Sequence, residues 1–199
     1  MSEIEGRKLR WHRVKLLALM GVFLLPFIAG WLAFYVFDYR PQSKNYGELI
    51  APPRPLDAPQ LRTIDGEVLD RGFWARWTFV VIDRNGCAQL CRDNLHYLRQ
   101  LRIALGRDQS RVQNLALFTT PVDDDLLDYL KDFSNLKVVA SNVSKLLPQF
   151  ALPGVETGRE PMLYLVDPKG NLMMTYPAEH DPSLVLDDLR RLLKVSQIG

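Results

Sequence analysis

The sequence lacks a strong excess of charge of either sign. Its 199 residues include 25 Lys and Arg against 23 Asp and Glu, so the composition offers no broad basic face for a phosphate backbone. Nucleic acid is therefore not expected as a partner. No internal repeat is visible, which argues against a solenoid. Cysteine and histidine are scarce, at two and three residues, and no other set of nucleophile and base stands out.

An uncharged segment lies near the N-terminus. Residues 16–37 contain no charged side chain, and a helix of this length, at ~1.5 Å per residue, spans a hydrocarbon core of about 30 Å. We predict a transmembrane helix here. A cleaved signal peptide would have a shorter apolar run and a small-residue cleavage site, whereas bulky residues lead directly into Asp38. A mitochondrial presequence would lack acids, and Glu3 and Glu5 are present.

Basic residues predict the orientation of this helix. They cluster in residues 1–15, and only Arg40 and Lys44 follow closely after the span. Cytoplasmic flanks of membrane helices are enriched in Lys and Arg, so we expect residues 1–15 in the cytoplasm. The expected location is the bacterial inner membrane, with the C-terminal domain in the periplasm. The basic cluster consists of Arg7, Lys8, Arg10, Arg13 and Lys15.

Two regions follow the predicted span. Residues 38–59 contain several prolines and little apolar pattern, which is typical of an extended, semi-rigid linker. Residues 60–199 alternate short apolar runs with helical patterns. We predict one extracytoplasmic domain in that second region.

The order of elements in residues 60–199 indicates an α/β fold. The apolar run 77–82 is typical of a central strand buried on both faces, and leucines recur with helical spacing in 89–105. The other predicted elements are a hairpin at 61–69, strands at 112–118, 137–140, 162–166 and 171–176, and helices at 123–133, 142–147 and 183–194. Strands separated by helices favour parallel pairing, and the late hairpin adds an antiparallel edge. We therefore predict a thioredoxin-like fold, a central mixed sheet flanked by helices, behind one N-terminal transmembrane helix.

The two cysteines, Cys87 and Cys91, directly follow the predicted central strand. Their spacing places both sulfurs on one side of a helix start, where the helix dipole and the nearby Arg84 and Arg92 would acidify a thiol. We expect a reactive pair, accessible at the mouth of the sheet. The alternatives are a plain disulfide or two small core side chains. A bridge across so short a loop stabilises little, which favours a functional pair.

The sequence resembles the Sco/SenC family of membrane-anchored copper chaperones for cytochrome oxidase assembly. The resemblance rests on residues 76–82 followed by Cys87-x-x-x-Cys91, and it covers roughly residues 57–194. Supporting matches are Asp65-Gly66, residues 117–121 and residues 164–170. The resemblance implies that Cys87 and Cys91 bind copper as a cofactor. It also implies that the partner is a respiratory oxidase subunit or another copper or thiol protein.

One departure from the family concerns its third copper ligand. The family uses a histidine shortly before the penultimate strand, and the corresponding place, near Arg159, has none. Glu160-Pro161 stands there instead and resembles the cis-proline position of thioredoxin-like thiol reductases. The resemblance therefore implies that Pro161 packs beside the cysteines and supports the site. An ordinary trans proline at a strand start is the alternative, since most X-Pro bonds are trans.

The three histidines differ in their distance from the cysteine pair. His12 precedes the predicted span and lies on the cytoplasmic side. His96 follows Cys91 by five residues, which turns it away on a helix. His180, in the loop before the last helix, is the candidate third metal ligand, with a solvated loop histidine as the alternative.

Three functions compete at this stage. The first is a Sco-like assembly factor for a respiratory oxidase, because a thiolate pair is a soft ligand set that selects Cu(I). The second is an extracytoplasmic thiol–disulfide oxidoreductase without a cofactor, which the Pro161 context favours. The third is a scaffold that kept the fold without the chemistry.

Overall fold

The computed structural model describes residues 2–36, 45–57, 61–69, 72–73, 75–140, 143–152, 162–196 and 198. The chain divides into two compact units, residues 1–44 and 45–199. In the first unit, helix α1 (Ser2–Tyr35) continues through Pro26. Its stretch Trp11–Leu32 is long and apolar enough to cross a membrane. The single N-terminal apolar helix predicted from the sequence is confirmed.

The second unit is built on a mixed six-stranded sheet. The strands are β1 (Glu48–Pro55), β2 (Leu61–Arg62), β3 (Val68–Leu69), β4 (Trp77–Asp83), β5 (Val112–Phe118), β6 (Leu136–Val139), β7 (Met162–Val166) and β8 (Asn171–Tyr176). The helices are α2 (Gln89–Ala104), α3 (Asp124–Leu130), α4 (Val143–Leu146) and α5 (Pro182–Val195), with 3-10 turns at Gly106–Arg111 and Leu147–Phe150. The sheet order is β1-β8-β7-β4-β5-β6, and β2 pairs with β3 apart from it. Strand β4 is parallel to β5 and antiparallel to β7. The predicted thioredoxin-like fold is confirmed.

Each of the seven residues of β4 is buried, as expected for a strand in the middle of the sheet. Its side chains alternate between two apolar layers. Phe79 and Val81 pack with α2 and α5, whereas Val80 and Ile82 pack with α4 and the residues that follow it. The sheet therefore has apolar cover on both faces, which is the arrangement that continuous apolar strands require.

Side-chain caps define the starts of two helices. The Asp123 carboxylate accepts a hydrogen bond from the backbone N–H of Leu126 at 2.9 Å, so the acidic run begins α3 as predicted. That helix ends at Leu130 rather than at the predicted residue 133. Asp181 caps α5 in the same way, and Pro182 occupies its first turn.

The structure corrects the predicted linker. Residues 48–55, expected to be an extended spacer, form β1 and pair antiparallel with β8. Proline is compatible with an edge strand because one side of that strand needs no N–H donors. The Arg54 guanidinium also donates to the backbone carbonyl of Ala151 at 2.7 Å. The folded unit therefore begins before residue 60.

Candidate functional site

The candidate site lies where two parallel strands end side by side. Strands β4 and β5 are in register up to Asp83 opposite Phe118. The backbone N–H of Thr119 then donates to the carbonyl of Asp83 at 3.1 Å. The loop that carries the cysteines leaves the sheet from this fixed point, because Asp83 is the last residue of β4.

Cys87 and Cys91 are joined in a disulfide, and their Cα atoms are 5.0 Å apart. Only Cys91 belongs to α2, which begins at Gln89. Cys87 precedes the helix and has a φ of 55°, in the left-handed region that residues with a Cβ rarely adopt. Cys87 therefore lies in the loop just before the helix, and the two sulfurs come together at the helix start.

The disulfide is buried, which corrects the expectation of an accessible pair. Cys87 is 1% exposed and Cys91 is 0% exposed, and both belong to the apolar cluster between the sheet and α2. Their loop neighbours Gly86 and Ala88 are exposed. Cys87 is therefore a buried residue between two exposed positions of the loop.

Asp83, which was not among the predicted site residues, holds this loop. Its Oδ2 accepts hydrogen bonds from the backbone N–H of Asn85 at 3.0 Å and from that of Cys87 at 2.7 Å. The carboxylate is on a residue only 4% exposed. An aspartate that ends an apolar strand just before Asn85-Gly86 is a signal for such a turn, and that signal was available in the sequence.

Arg92 contacts the same loop from the other side. Its Nε donates to the carbonyl of Cys87 at 3.2 Å, and its Nη2 pairs with Asp125 at 2.6 Å. The Tyr129 hydroxyl donates to the Arg92 carbonyl at 3.0 Å, and the guanidinium lies 5.0 Å from the Tyr129 ring centre. The hydrogen bond that Arg92 donates to the Asp125 carboxylate raises the pKa of the Arg92 guanidinium. Arg92 therefore ties the cysteine loop to α3.

Arg84, the second predicted cation, follows the strand end directly. Its Nε is buried and has no hydrogen-bond partner within the described part of the chain. Its charge lowers the pKa of Tyr164, although burial dominates and the net shift of that pKa is upward. Arg84 therefore acts on Tyr164 in the sheet, and its predicted effect on a free thiol stays a prediction.

His180 packs against Tyr97 of α2, with ring centres 6.1 Å apart. Its Nδ1 lies 3.2 Å from the Pro177 carbonyl, and burial lowers the pKa of the ring. Its Nε2 is buried and finds no partner among the residues that the structure covers. Within the described ranges, no three His, Cys, Asp or Glu side chains form a group that could hold a metal ion. The ligand role of His180 stays a prediction.

The two other histidines are exposed. His96 is exposed on α2, with its ring 6.4 Å from that of Tyr97. His12 is exposed on α1, in the other unit. Pro161 falls outside the described residues, so its predicted place beside the cysteines stays a prediction.

Residues 77–196 match the family of transmembrane-like, thioredoxin-like, C-terminal domains. The match begins at β4 and includes the cysteine loop and the closing helix α5. The chain belongs to this family. No curated protein matches the chain.

Solved structures with the same fold include Sco proteins and thiol:disulfide interchange proteins. ScoI of Bradyrhizobium japonicum with copper bound is 18% identical, with a TM-score of 0.54 over 69% of this chain and 98% of that one. Apo Sco1 of Thermus thermophilus is 19% identical, with a TM-score of 0.59 over 77% and 99%. A thiol:disulfide interchange protein of Bacteroides sp. is 16% identical, with a TM-score of 0.55 over 74% and 93%. At these identities the likeness establishes the thioredoxin-like fold of this family member.

Proposed function

We propose that this protein is a Sco-like, membrane-anchored thiol protein that serves the assembly of a respiratory cytochrome oxidase. It does so through the redox state of Cys87 and Cys91. The observation that carries the proposal is the disulfide between them at the carboxyl edge of the sheet. Cys87 lies just before α2, and Cys91 lies in the first turn of that helix. Thiol–disulfide exchange needs a dithiol pair whose sulfurs meet without distortion of the fold. Both classes of structural relative named above also share this fold.

The exchange step begins with a thiolate of the partner. That thiolate attacks the Cys87 sulfur, the Cys87–Cys91 bond breaks, and Cys91 leaves as a thiolate that takes up a proton. A second thiolate of the partner then attacks the mixed disulfide and releases Cys87. The partner ends with a disulfide, and this chain ends with two thiols. Cys87 is the sulfur attacked because it lies in the loop between exposed residues, whereas Cys91 lies inside the helix.

Burial of the sulfurs makes loop opening part of the proposed reaction. The exposed residues Gly86 and Ala88 flank Cys87, so displacement of a few loop residues is enough to expose the sulfur. A docked partner stabilises the open loop by its own contacts. Small thiols such as glutathione reach the buried sulfur only while the loop is open and therefore react slowly, whereas a matching protein that stabilises the open loop reacts faster; the position of the redox equilibrium is unaffected by this difference in rate.

Copper handling is the second candidate. In the reduced state the two sulfurs form a soft pair, which suits Cu(I) as a cargo. The resemblance to Sco/SenC favours this reading, and the missing family histidine argues against a complete protein site. We propose that a third donor comes from the partner or from His180 after a rearrangement. Copper and thiol exchange are compatible, because reduction of the pair must precede metal binding.

The proposed location is the bacterial inner membrane, with the domain in the periplasm. The basic residues in the N-terminal part of α1, ahead of its uncharged stretch, support this orientation, and an oxidising compartment suits a disulfide. A reporter fused after Gly199 tests the topology. Activity of that reporter in the cytoplasm would reject it.

A redox titration of the full chain in detergent micelles tests the proposed function. The protein is equilibrated in glutathione buffers, free thiols are trapped by alkylation, and the mass shift gives the fraction reduced. We expect reversible formation of the internal disulfide in the wild type and none in Cys87→Ser or Cys91→Ser, whose single thiol can form at most a mixed disulfide with glutathione. Anaerobic titration with Cu(I) against a competing chelator follows on the reduced forms. Tight stoichiometric binding lost in both variants supports copper handling, and its absence leaves thiol exchange.

The third hypothesis, a scaffold that kept the fold without the chemistry, predicts a different outcome in cells. If Cys87→Ser combined with Cys91→Ser leaves oxidase activity at the wild-type level, with normal amounts of protein in the membrane, the chemistry of the pair is not used. If the double variant loses oxidase activity that added copper restores, copper delivery is the step affected.

A further inference from the structure

Asp83 is a fixed point at the base of the cysteine loop, residues 84–88. It is the last residue of the buried central strand, and the backbone N–H of Thr119 fixes its carbonyl at 3.1 Å. Its side chain is on a residue only 4% exposed. A carboxylate in such a place has few rotamers and little competing water, so its hydrogen bonds hold their geometry.

A single oxygen of Asp83 holds both ends of the turn before the disulfide. Oδ2 accepts from the N–H of Asn85, two residues on, and from the N–H of Cys87, four residues on. Between them Gly86 has a φ of 81°, and Cys87 itself has a φ of 55°. Two consecutive residues in the left-handed region form an unfavourable arrangement when one carries a Cβ, so this turn requires support from outside itself.

We propose that Asp83 is a positioning residue for the redox pair, which holds Cys87 in its left-handed conformation so that its sulfur faces Cys91. The inference rests on the proposed thiol exchange. It concerns the equilibrium constant between the disulfide and dithiol forms of this chain. Asp83 acts as a hydrogen-bond acceptor for the peptide of Cys87, and it transfers no proton. The two hydrogen bonds to Asp83 hold the turn in the dithiol form as well, because neither of them involves sulfur.

The consequence is a higher effective concentration of one thiol at the other. Oxidation by glutathione disulfide forms the Cys87–Cys91 bond, breaks the glutathione disulfide, and releases two molecules of glutathione that carry the two thiol protons. The equilibrium constant of this reaction rises when the dithiol state already holds the sulfurs together. Without the carboxylate, Cys87 relaxes to ordinary backbone angles in the dithiol form, and closing the bond must reverse that relaxation.

The chain contains a matched control for this motif. In the hairpin between β7 and β8, Oδ1 of Asp167 accepts from the N–H of Lys169 at 2.9 Å and from that of Asn171 at 2.8 Å. The spacing of two and four residues is the same as at Asp83. Loss of the carboxylate there removes the same kind of hydrogen bonds from a turn that carries no cysteine.

The experiment compares four variants of the full chain in micelles. Asp83→Ala, Asp83→Asn, Asp83→Ser and Asp167→Ala are equilibrated in glutathione and dithiothreitol buffers, and thiols are counted by alkylation. We expect Asp83→Ala to lower the equilibrium constant for disulfide formation about tenfold, which is about 30 mV for a two-electron couple. Asp83→Asn keeps one acceptor oxygen and stays near the wild type. Asp83→Ser, with a shorter and weaker acceptor, falls between them, and Asp167→Ala leaves the constant unchanged.

Amide hydrogen exchange of Cys87 is the second readout. Its protection falls in Asp83→Ala and is retained in Asp83→Asn, and if the alanine variant does not fold, the asparagine and serine variants carry the comparison. A wild-type constant in Asp83→Ala overturns the inference, as does a shift in Asp83→Asn equal to that in Asp83→Ala, because the charge would then matter and the acceptor would not. A wild-type disulfide that neither buffer reduces rejects the proposed function itself, together with this inference.

Discussion

The carboxylate of Asp188 accepts a hydrogen bond at 2.8 Å from the backbone N–H of Gly47, which lies 141 residues earlier in the chain. Asp188 is 1% exposed on α5. The bond joins the start of the folded unit to its last helix. Together with the pairing of β1 and β8, it attaches residues 47–55 to the rest of the folded unit.

Removal of the Asp188 carboxylate should destabilise the domain. In Asp188→Ala the buried N–H of Gly47 loses its acceptor, and an unsatisfied buried group costs about 1–3 kcal/mol. Asp188→Asn keeps an acceptor oxygen and should lose less. Urea denaturation followed by circular dichroism measures both. Equal losses in the two variants would show that the hydrogen bond is not the cause.

A methyl group at residue 47 should be poorly tolerated. A Cβ on Gly47 would lie 2.5 Å from the Met174 sulfur and 2.6 Å from the Tyr176 ring, and both of these side chains are fully buried. Overpacking of this kind costs about 1–3 kcal/mol, so Gly47→Ala should lower the free energy of unfolding by that amount. Glu48→Ala, at the exposed neighbouring position, is the control and should change it little.

The Arg92–Asp125 pair should couple the cysteine loop to α3. Arg92→Gln and Asp125→Asn each remove the ion pair, and only the first removes the hydrogen bond to the Cys87 carbonyl. A double-mutant cycle on the free energy of unfolding should give a favourable coupling that shrinks as salt is added, because both side chains contact solvent. Additive effects at low salt would mean that the pair contributes nothing.

His180 should make stability depend on pH in the acidic range. Burial lowers the pKa of this ring below its ordinary value of 6.5, against smaller opposing effects from the Pro177 and Ala178 backbone and from Asp181. As the pH falls through that value, the unfolded chain takes up a proton before the folded chain does, so the free energy of unfolding falls. His180→Gln should flatten this part of the profile.

Chemical denaturation at several pH values checks the His180 prediction. Well above pH 6.5 the ring is neutral in both states, so the difference between wild type and His180→Gln should stay constant there. An unchanged acidic slope in the variant would assign the pH dependence to other groups.

The sequence was sufficient for the parts of the fold that local pattern determines. The continuous apolar run of β4 and the helical spacing of leucines in α2 are both local patterns, and both elements lie where predicted. Strand β1 was missed because its prolines are typical of linkers, and its pairing with β8 depends on residues more than a hundred positions away. Long-range pairing of an edge strand leaves little local signal.

The sequence predicts that Cys87 and Cys91 lie close together, because of their spacing and their position after the strand, but it leaves open whether they are bonded. Their burial and the left-handed conformation of Cys87 depend on packing and on the Asp83 carboxylate. The aspartate before Asn85-Gly86 indicates a turn from the sequence alone, but the amides that donate to its carboxylate depend on the folded loop.

The prolines of β1 have a further consequence for how the sheet meets other chains. An open sheet edge invites another chain to add a strand, and a proline offers no N–H for that purpose. Pro52, Pro53 and Pro55 occupy one outer strand, while the opposite outer strand is engaged by the Ile64 N–H at the Val138 carbonyl. Both outer strands are thereby protected against pairing with strands of other chains, which lowers the risk of edge-to-edge aggregation.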